Sequence, residues 1–144
     1  MGRVLAIDYG ERRIGLALSD PTRTIAQPLP TLVRRRGKRP PIAAILELVA
    51  ANDVDRIVIG LPLSLAGEET EWTREVKEFA EAVARRSSLP VDMVDERLTS
   101  VVAERAVRSL GLPRRERERK DRVDAAAAVL ILQGYLSSRQ SQGQ

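Results

Sequence analysis

The 144-residue sequence contains no cysteine and no histidine. Without cysteine there is no disulfide framework, no thiolate metal site and no thiol nucleophile. Without histidine the commonest general base and the usual zinc ligand are gone, and a Ser-His-Asp arrangement is impossible. Hydrolytic chemistry is left to carboxylates, lysine, tyrosine or a metal held by oxygen, and oxygen-only ligation suits Mg²⁺ or Mn²⁺. Aromatic residues are scarce: one Trp, two Tyr and one Phe. No apolar run approaches the roughly 18 residues of a membrane span. No charged-then-apolar leader precedes the first strand-like segment. A cytoplasmic protein with no membrane association is therefore expected.

What is present is an ordinary apolar fraction, 43%, in a chain long enough to bury a core as one domain. That domain is expected over 1–137, with a polar, disordered tail over 138–144. The net charge is +4, and arginine greatly outnumbers lysine. The positive charge is concentrated in Arg34-Arg35-Arg36-Gly37-Lys38-Arg39 and in Arg114-Arg115-Glu116-Arg117-Glu118-Arg119-Lys120. Arginine clusters suit phosphate backbones, whereas interleaved glutamates weaken the field of the second cluster. A solvated surface is the alternative for both.

Apolar patterning predicts strands over 3–8, 12–19 and 24–33, the third an edge strand because Pro28 and Pro30 interrupt it. Tyr9-Gly10-Glu11 fits a hairpin connection. Residues 34–41 read as a basic loop and 41–51 as a helix with Ile42, Ile45, Leu46 and Val49 on one face. The β-branched run at 56–60 reads as a buried parallel strand. A loop over 61–67, a helix over 68–87 and a strand over 90–95 follow. A helix over 99–110, capped by Thr99 or Ser100 and stopped by Gly111-Leu112-Pro113, precedes a final helix over 121–137. The order β-β-β-α-β-α-β-α-α describes an α/β fold. Its five-stranded mixed sheet combines an antiparallel three-strand meander with two parallel strands, flanked by helices.

In such a sheet, ligands gather at the carboxyl ends of the parallel strands. Asp8, Gly60 and Glu96 fall at those ends. Asp124 opens an almost wholly apolar helical stretch and joins them if that helix begins near the same edge. Three converging carboxylates raise one another's pKa, and one or two divalent cations would relieve the repulsion. Each acid also has a plainer role open to it: a strand-end turn for Asp8, an ion pair with Arg97 for Glu96, a helix cap for Asp124. Asp20 is either a fourth acid or the start of a turn with Pro21. Asp95 falls on the opposite side of its strand from Glu96. Lys120, one turn before Asp124, could reach a substrate phosphate. Gly60-Leu61-Pro62 and Gly67 form a loop whose backbone could approach a phosphate, although no Gly-Lys-Ser/Thr of a P-loop is present. Trp72 reads as core before it reads as a base-stacking platform.

The residues also carry a family likeness. Ala6-Ile7-Asp8-Tyr9-Gly10, Arg13-Ile14-Gly15-Leu16-Ala17 and Ser19-Asp20 resemble the opening motif of the YqgF family, also called RuvX, of Holliday-junction resolvases and pre-16S rRNA nucleases. Val58-Ile59-Gly60-Leu61-Pro62-Leu63 with Gly67 resembles its second motif, and Val94-Asp95-Glu96-Arg97-Leu98-Thr99-Ser100 with Ala103 its third. Lys120 through Asp124-Ala125-Ala126-Ala127, with Ile131-Leu132-Gln133, resembles the fourth. The likeness spans residues 3 to 136. It implies an RNase H-like fold and a metal-dependent acidic site in which Asp8, Glu96 and Asp124 are both catalytic and metal-binding; with oxygen ligands alone, Mg²⁺ or Mn²⁺ is the expected cofactor, and two ions would both activate a water and stabilise the leaving oxygen of a phosphodiester. Ala66 departs from the acidic or amide residue the family often places before the glycine.

The resemblance implies a nucleic-acid substrate, either pre-rRNA in 16S 5′-end maturation or branched DNA, and a possible homodimer. Lys120, Arg13, Arg97, Arg34, Arg35 and Arg36 are the candidate substrate contacts. Two rival classes remain: an actin-like kinase or ATPase, which needs two such domains to enclose a nucleotide, and a non-catalytic nucleic-acid-binding transcription or rRNA-maturation factor on the same fold.

Overall fold

The computed structural model describes residues 2–35, 37–99 and 120–142, with the side chains of 125–139 in the last segment. Five strands form one sheet: β1 (Arg3–Tyr9), β2 (Arg13–Ser19), β3 (Ala26–Val33), β4 (Val54–Leu61) and β5 (Val91–Asp95). Their spatial order is β3-β2-β1-β4-β5. β1, β2 and β3 form an antiparallel meander, and β4 and β5 run parallel to β1. The expected mixed sheet is present. Three helices are described: α1 (Ile42–Ala51), α2 (Glu71–Ser87) and α3 (Lys120–Gln142). The helix expected over 99–110 lies outside the described residues.

Side-chain alternation divides the core into two layers. Leu5, Ile7 and Tyr9 of β1 join Ile57 and Ile59 of β4 beneath α1 and α2, which contribute Ile42, Ile45, Val76, Phe79 and Val83. Val4, Ala6, Ala17 and Val58 point the other way, against Ala127, Ala128, Ile131, Leu132 and Leu136 of α3. Both faces of β1 are covered, so its run Val4-Leu5-Ala6-Ile7 is fully buried. An uninterrupted apolar strand is the sequence form of that burial.

The edge position of β3 follows from its prolines. Pro28 pairs with Ala17, and the register slips between Ile14 and Leu16, opposite Pro30 and Thr31. A proline is tolerated where the ladder needs no N–H from it, at an edge or a bulge. Helix α2 begins at Glu71, three residues later than the apolar pattern suggests. Thr70 accepts from the Thr73 N–H (3.2 Å), and the Thr73 hydroxyl accepts from the Thr70 N–H (3.0 Å). This reciprocal cap fixes the start, leaving Glu68 and Glu69 in the loop. At the other end of the chain, α3 runs to Gln142. Residues 138–142, expected as a disordered tail, are therefore helical.

One reason lies in Arg139. Its Nε donates to the Tyr135 hydroxyl (3.0 Å) and its Nη2 to Asp92 (3.3 Å), so the helix end is tied to β5. Asp92 also accepts from the Tyr135 hydroxyl (2.7 Å) and Arg56 (2.8 Å). Partial burial pushes the Asp92 carboxyl up, but the hydrogen bonds from Tyr135, Arg56 and Arg139, with the Arg56 charge, outweigh it and hold the pKa below its usual value. A carboxylate with a depressed folded-state pKa stabilises the fold above its unfolded pKa and loses that contribution as pH falls through the folded value. Tyr135→Phe should therefore cost about 1 kcal/mol at neutral pH, discounted for the cluster's exposure. In urea titrations the deficit should shrink below about pH 4. A deficit unchanged from pH 7 to pH 2 would contradict the assignment.

Candidate metal centre and its surroundings

Asp8 lies near the carboxyl end of β1, where Ile7 pairs with Ile59 of β4 and Asp8 itself with Gly15 of β2. Val4 and Ala6 face α3, so alternation puts Asp8 on that face too. Glu96 follows β5 directly and opens a short 3₁₀ turn, Glu96–Leu98. Both carboxylates are buried, with Asp8 6% and Glu96 5% exposed. They arrive at the same edge because β1, β4 and β5 are parallel and adjacent.

Gly60 sits between them, at the same end of the intervening strand. A Cβ built on Gly60 would lie 2.8 Å from Glu96 Oε1 and 2.7 Å from Ile131 Cδ1 of α3. Both approaches are closer than nonbonded atoms tolerate, so only glycine leaves Glu96 its present seat. The functional weight of Gly60 is thus steric; it makes room for a carboxylate.

The path of α3 is fixed by three contacts. Ile131 lies over Gly60, Gly134 lies against the Thr99 methyl, and Tyr135 and Arg139 reach Asp92 near the start of β5. The helix therefore runs from the carboxyl edge toward the amino ends of the parallel strands. Asp124 stands seven residues before Ile131, about 10 Å back along the axis and on nearly the same helical face. That places its backbone toward the edge that carries Asp8 and Glu96. Lys120 is the first helical residue, one turn before Asp124. The side chains of Lys120 and Asp124 lie outside the described residues.

The other acids have local explanations. Asp20 accepts from the N–H groups of Thr24 and Ile25 (both 2.8 Å) and from Thr22, closing the turn between β2 and β3. Those backbone bonds, with the Thr22 hydroxyl, hold its carboxyl far below the usual range. Of the two roles open to Asp20, the turn is the one its bonds describe. Asp95 caps the 3₁₀ turn by accepting from the Arg97 N–H (2.9 Å), and it pairs with the Arg97 guanidinium (2.7 Å). The side-chain hydrogen bond from Arg97 is the main cause of its lowered pKa. Arg97 thus pairs with Asp95, while Glu96 turns inward.

The candidate substrate contacts are dispersed. Arg97 also donates to the Leu65 carbonyl (3.3 Å) and lies over Gly67, where a Cβ would come within 3.0 Å of Nη1. Its guanidinium fastens the loop after β4 to the end of β5. Arg13 is half-buried at the start of β2, on the side of the sheet that faces α3. Arg34 lies on the opposite side, its guanidinium carbon 4.4 Å from the centre of the Tyr9 ring. Arg35 is exposed, and Arg36 lies outside the described residues. Periodicity does not reveal the stack of Trp72 and Phe79 on Tyr9, with ring centres 5.6 and 3.9 Å away. The scarcity of aromatics is the one signal the sequence offers for it.

The donor chemistry at the edge fits a hard divalent cation: two buried carboxylates lie at the same edge of the sheet in a chain that has no nitrogen or sulfur ligand from histidine or cysteine.

Known proteins resemble the chain over nearly its whole length. The family model described as "RuvX: Holliday junction resolvase" matches residues 2–138. A protein of Koribacter versatilis named "Putative pre-16S rRNA nuclease" is 45% identical over 138 residues, covering 96% of this chain and 88% of its own. One of the same name from Chloroflexus aurantiacus is 46% identical over the same shares. Among solved structures, Thermus thermophilus RuvC in complex with a Holliday junction substrate superposes with a TM-score of 0.54 at 17% identity, covering 97% of this chain and 96% of that one. That likeness establishes the RNase H-like fold.

Gly60→Ala should destabilise the protein by about 1–3 kcal/mol, the usual cost of overpacking a filled site. Denaturant unfolding would measure it. A cost below the error of the measurement would mean that Glu96 and Ile131 yield freely and that the glycine is not required for space.

Proposed function

The chain belongs to the RuvX family of Holliday junction resolvases, and we propose that it is a metal-dependent nuclease that hydrolyses phosphodiester bonds in the 5′-end processing of pre-16S rRNA. The observation that carries this reading is the pair of buried carboxylates, Asp8 and Glu96, on either side of a glycine at the carboxyl edge of the parallel strands. The names of the relatives at 45% and 46% identity support the choice of substrate. Asp8, Glu96 and Asp124 are the residues we assign to catalysis and to holding Mg²⁺ or Mn²⁺, two ions in all. Bound there, the metal would supply an activated water and stabilise the leaving oxygen.

The protein's own part is to present oxygen ligands from a rigid frame. Asp8 is fixed by the central strand, with Ile7 paired to Ile59 beside it. Glu96 is fixed by the 3₁₀ turn, in which Thr99 donates its backbone N–H (3.1 Å) and hydroxyl (2.9 Å) to the Glu96 carbonyl. Arg97, paired with Asp95, also donates to the Leu65 carbonyl and so ties the loop after β4 to this turn. Ile131 and the apolar face of α3 exclude water from behind the carboxylates. Lys120 and Arg13 are assigned to substrate phosphate.

Asp8→Asn should abolish cleavage of pre-16S rRNA in Mn²⁺, a loss of at least about 100-fold if the residue supports metal chemistry worth several kcal/mol. A four-way DNA junction assayed in parallel decides the substrate, since faster cleavage of the junction would replace the rRNA reading with branched-DNA resolution. Equal cleavage by wild type and Asp8→Asn would sink the catalytic assignment. No cleavage of either substrate by the wild type would favour a nucleic-acid-binding factor.

Metal binding is tested separately by calorimetry. Mn²⁺ binding should disappear in the Asp8→Asn, Glu96→Gln, Asp124→Asn triple variant; heats that persist unchanged would put the cation elsewhere.

A further inference from the structure

On the face of the sheet opposite the acids, a groove of about 440 Å³ opens between α2 and the segment after β3. Its floor is aromatic. Tyr9 stacks on Phe79 at 3.9 Å with an interplanar angle of 11°, and on Trp72 at 5.6 Å and 5°. Three of the four aromatic residues of the chain are gathered here. Tyr9 and Phe79 are buried, whereas Trp72 is partly exposed and lines the groove.

The rim is cationic: Arg34, Arg39, Arg85 and Arg86 line it, against Glu75 and Glu78. Arg34 covers Tyr9 and donates to the Gly10 carbonyl (2.9 Å), so it is built into the turn. Arg39, Arg85 and Arg86 are exposed and enter no ion pair among the described residues. A core aromatic cluster does not need a ring of exposed arginines around its one accessible member. An aromatic platform beside exposed arginines is instead the composition that binds unpaired nucleotides, with bases on the ring and phosphates on the guanidiniums.

The position supplies the connection. Tyr9 is the residue after Asp8, and alternation sends the two side chains to opposite faces. The groove therefore opens at the same carboxyl edge as the acids, one residue along and across the sheet. The turn between them is tight: Gly10 approaches Arg13 so closely that a Cβ would lie 2.5 Å from the Arg13 carbonyl oxygen, and Glu11 and Arg12 at its tip are exposed. No side chain from position 10 stands in the way.

We propose that this groove is a single-strand subsite, in which the unpaired strand flanking the cleavage position crosses the rim at Tyr9-Gly10, stacks a base on Trp72 and sets its phosphates on Arg39, Arg85 and Arg86. The subsite rests on the nuclease reading, and its test is kept free of catalysis by working in chelator. Trp72 is the sole tryptophan, so its fluorescence reports directly on the groove.

A short oligouridylate should quench that fluorescence as it binds the wild-type protein. Trp72→Leu should weaken binding about tenfold, as removal of one stacked base does. Arg85→Glu with Arg86→Glu, both at exposed positions in the last turn of α2, should also weaken it. This pair should flatten the log–log salt dependence by about 1.4, roughly 0.7 for each phosphate deprived of its arginine. Circular dichroism would verify that each variant is folded. Binding without quenching, together with undiminished affinity in the double arginine variant, would overturn the subsite. Equal affinity for a blunt duplex RNA, equally sensitive to both changes, would also overturn it, because a paired base cannot stack on Trp72.

The two readings fail separately. If Asp8→Asn cleaves like wild type while the oligouridylate still quenches Trp72, the nuclease assignment fails and the groove stands. If Asp8→Asn is inactive and the groove variants bind and cleave like wild type, the subsite fails alone.

Discussion

Two carboxylates held at one end of a sheet repel each other, and burial adds the cost of taking each out of water. Most of the local architecture can be understood as the frame that keeps them there. The central strand carries Asp8 between two apolar layers, so its backbone cannot shift without disturbing both. Glu96 enters over a residue with no side chain, under a helix residue that closes the space behind it. A frame of this kind fixes where the two carboxylates sit; their proposed service as metal ligands would draw on that fixed position.

The surrounding acids show how the charge is distributed. Asp20 turns its oxygens to three backbone N–H groups and a threonine hydroxyl, Asp92 to two arginines and a tyrosine, Asp95 to Arg97. Each has donors that favour its charged form. These bonds fasten a turn, the end of α3 and the loop after β4, respectively. Asp95 and Glu96 illustrate the division most directly. They are consecutive, yet one is engaged in local structure and the other is directed into the site, because the chain alternates sides as it leaves the strand.

The two faces of the sheet differ in what they gather. The face toward α3 holds the acids, and the face toward α2 gathers the aromatic residues and a ring of arginines. The Tyr9-Gly10 turn joins them.

The order and type of the elements were legible in the sequence because they rest on local patterns. Alternation marked β2, a β-branched run marked β4, and two prolines marked β3 as an edge. Composition alone restricted the site to oxygen ligands. Boundaries depended on details that periodicity does not carry. The reciprocal Thr70–Thr73 cap moved the start of α2, and the tether from Arg139 to Asp92 extended α3 past Ser137. Other features belonged to the tertiary structure entirely. The seat of Glu96 over Gly60 and under Ile131, and the stacking of Trp72 and Phe79 on Tyr9, join residues far apart in the chain. A hydrophobic pattern states which face of an element is buried, but not which partner it meets. Strand order and the packing distance between layers decide that, and only the folded chain has them.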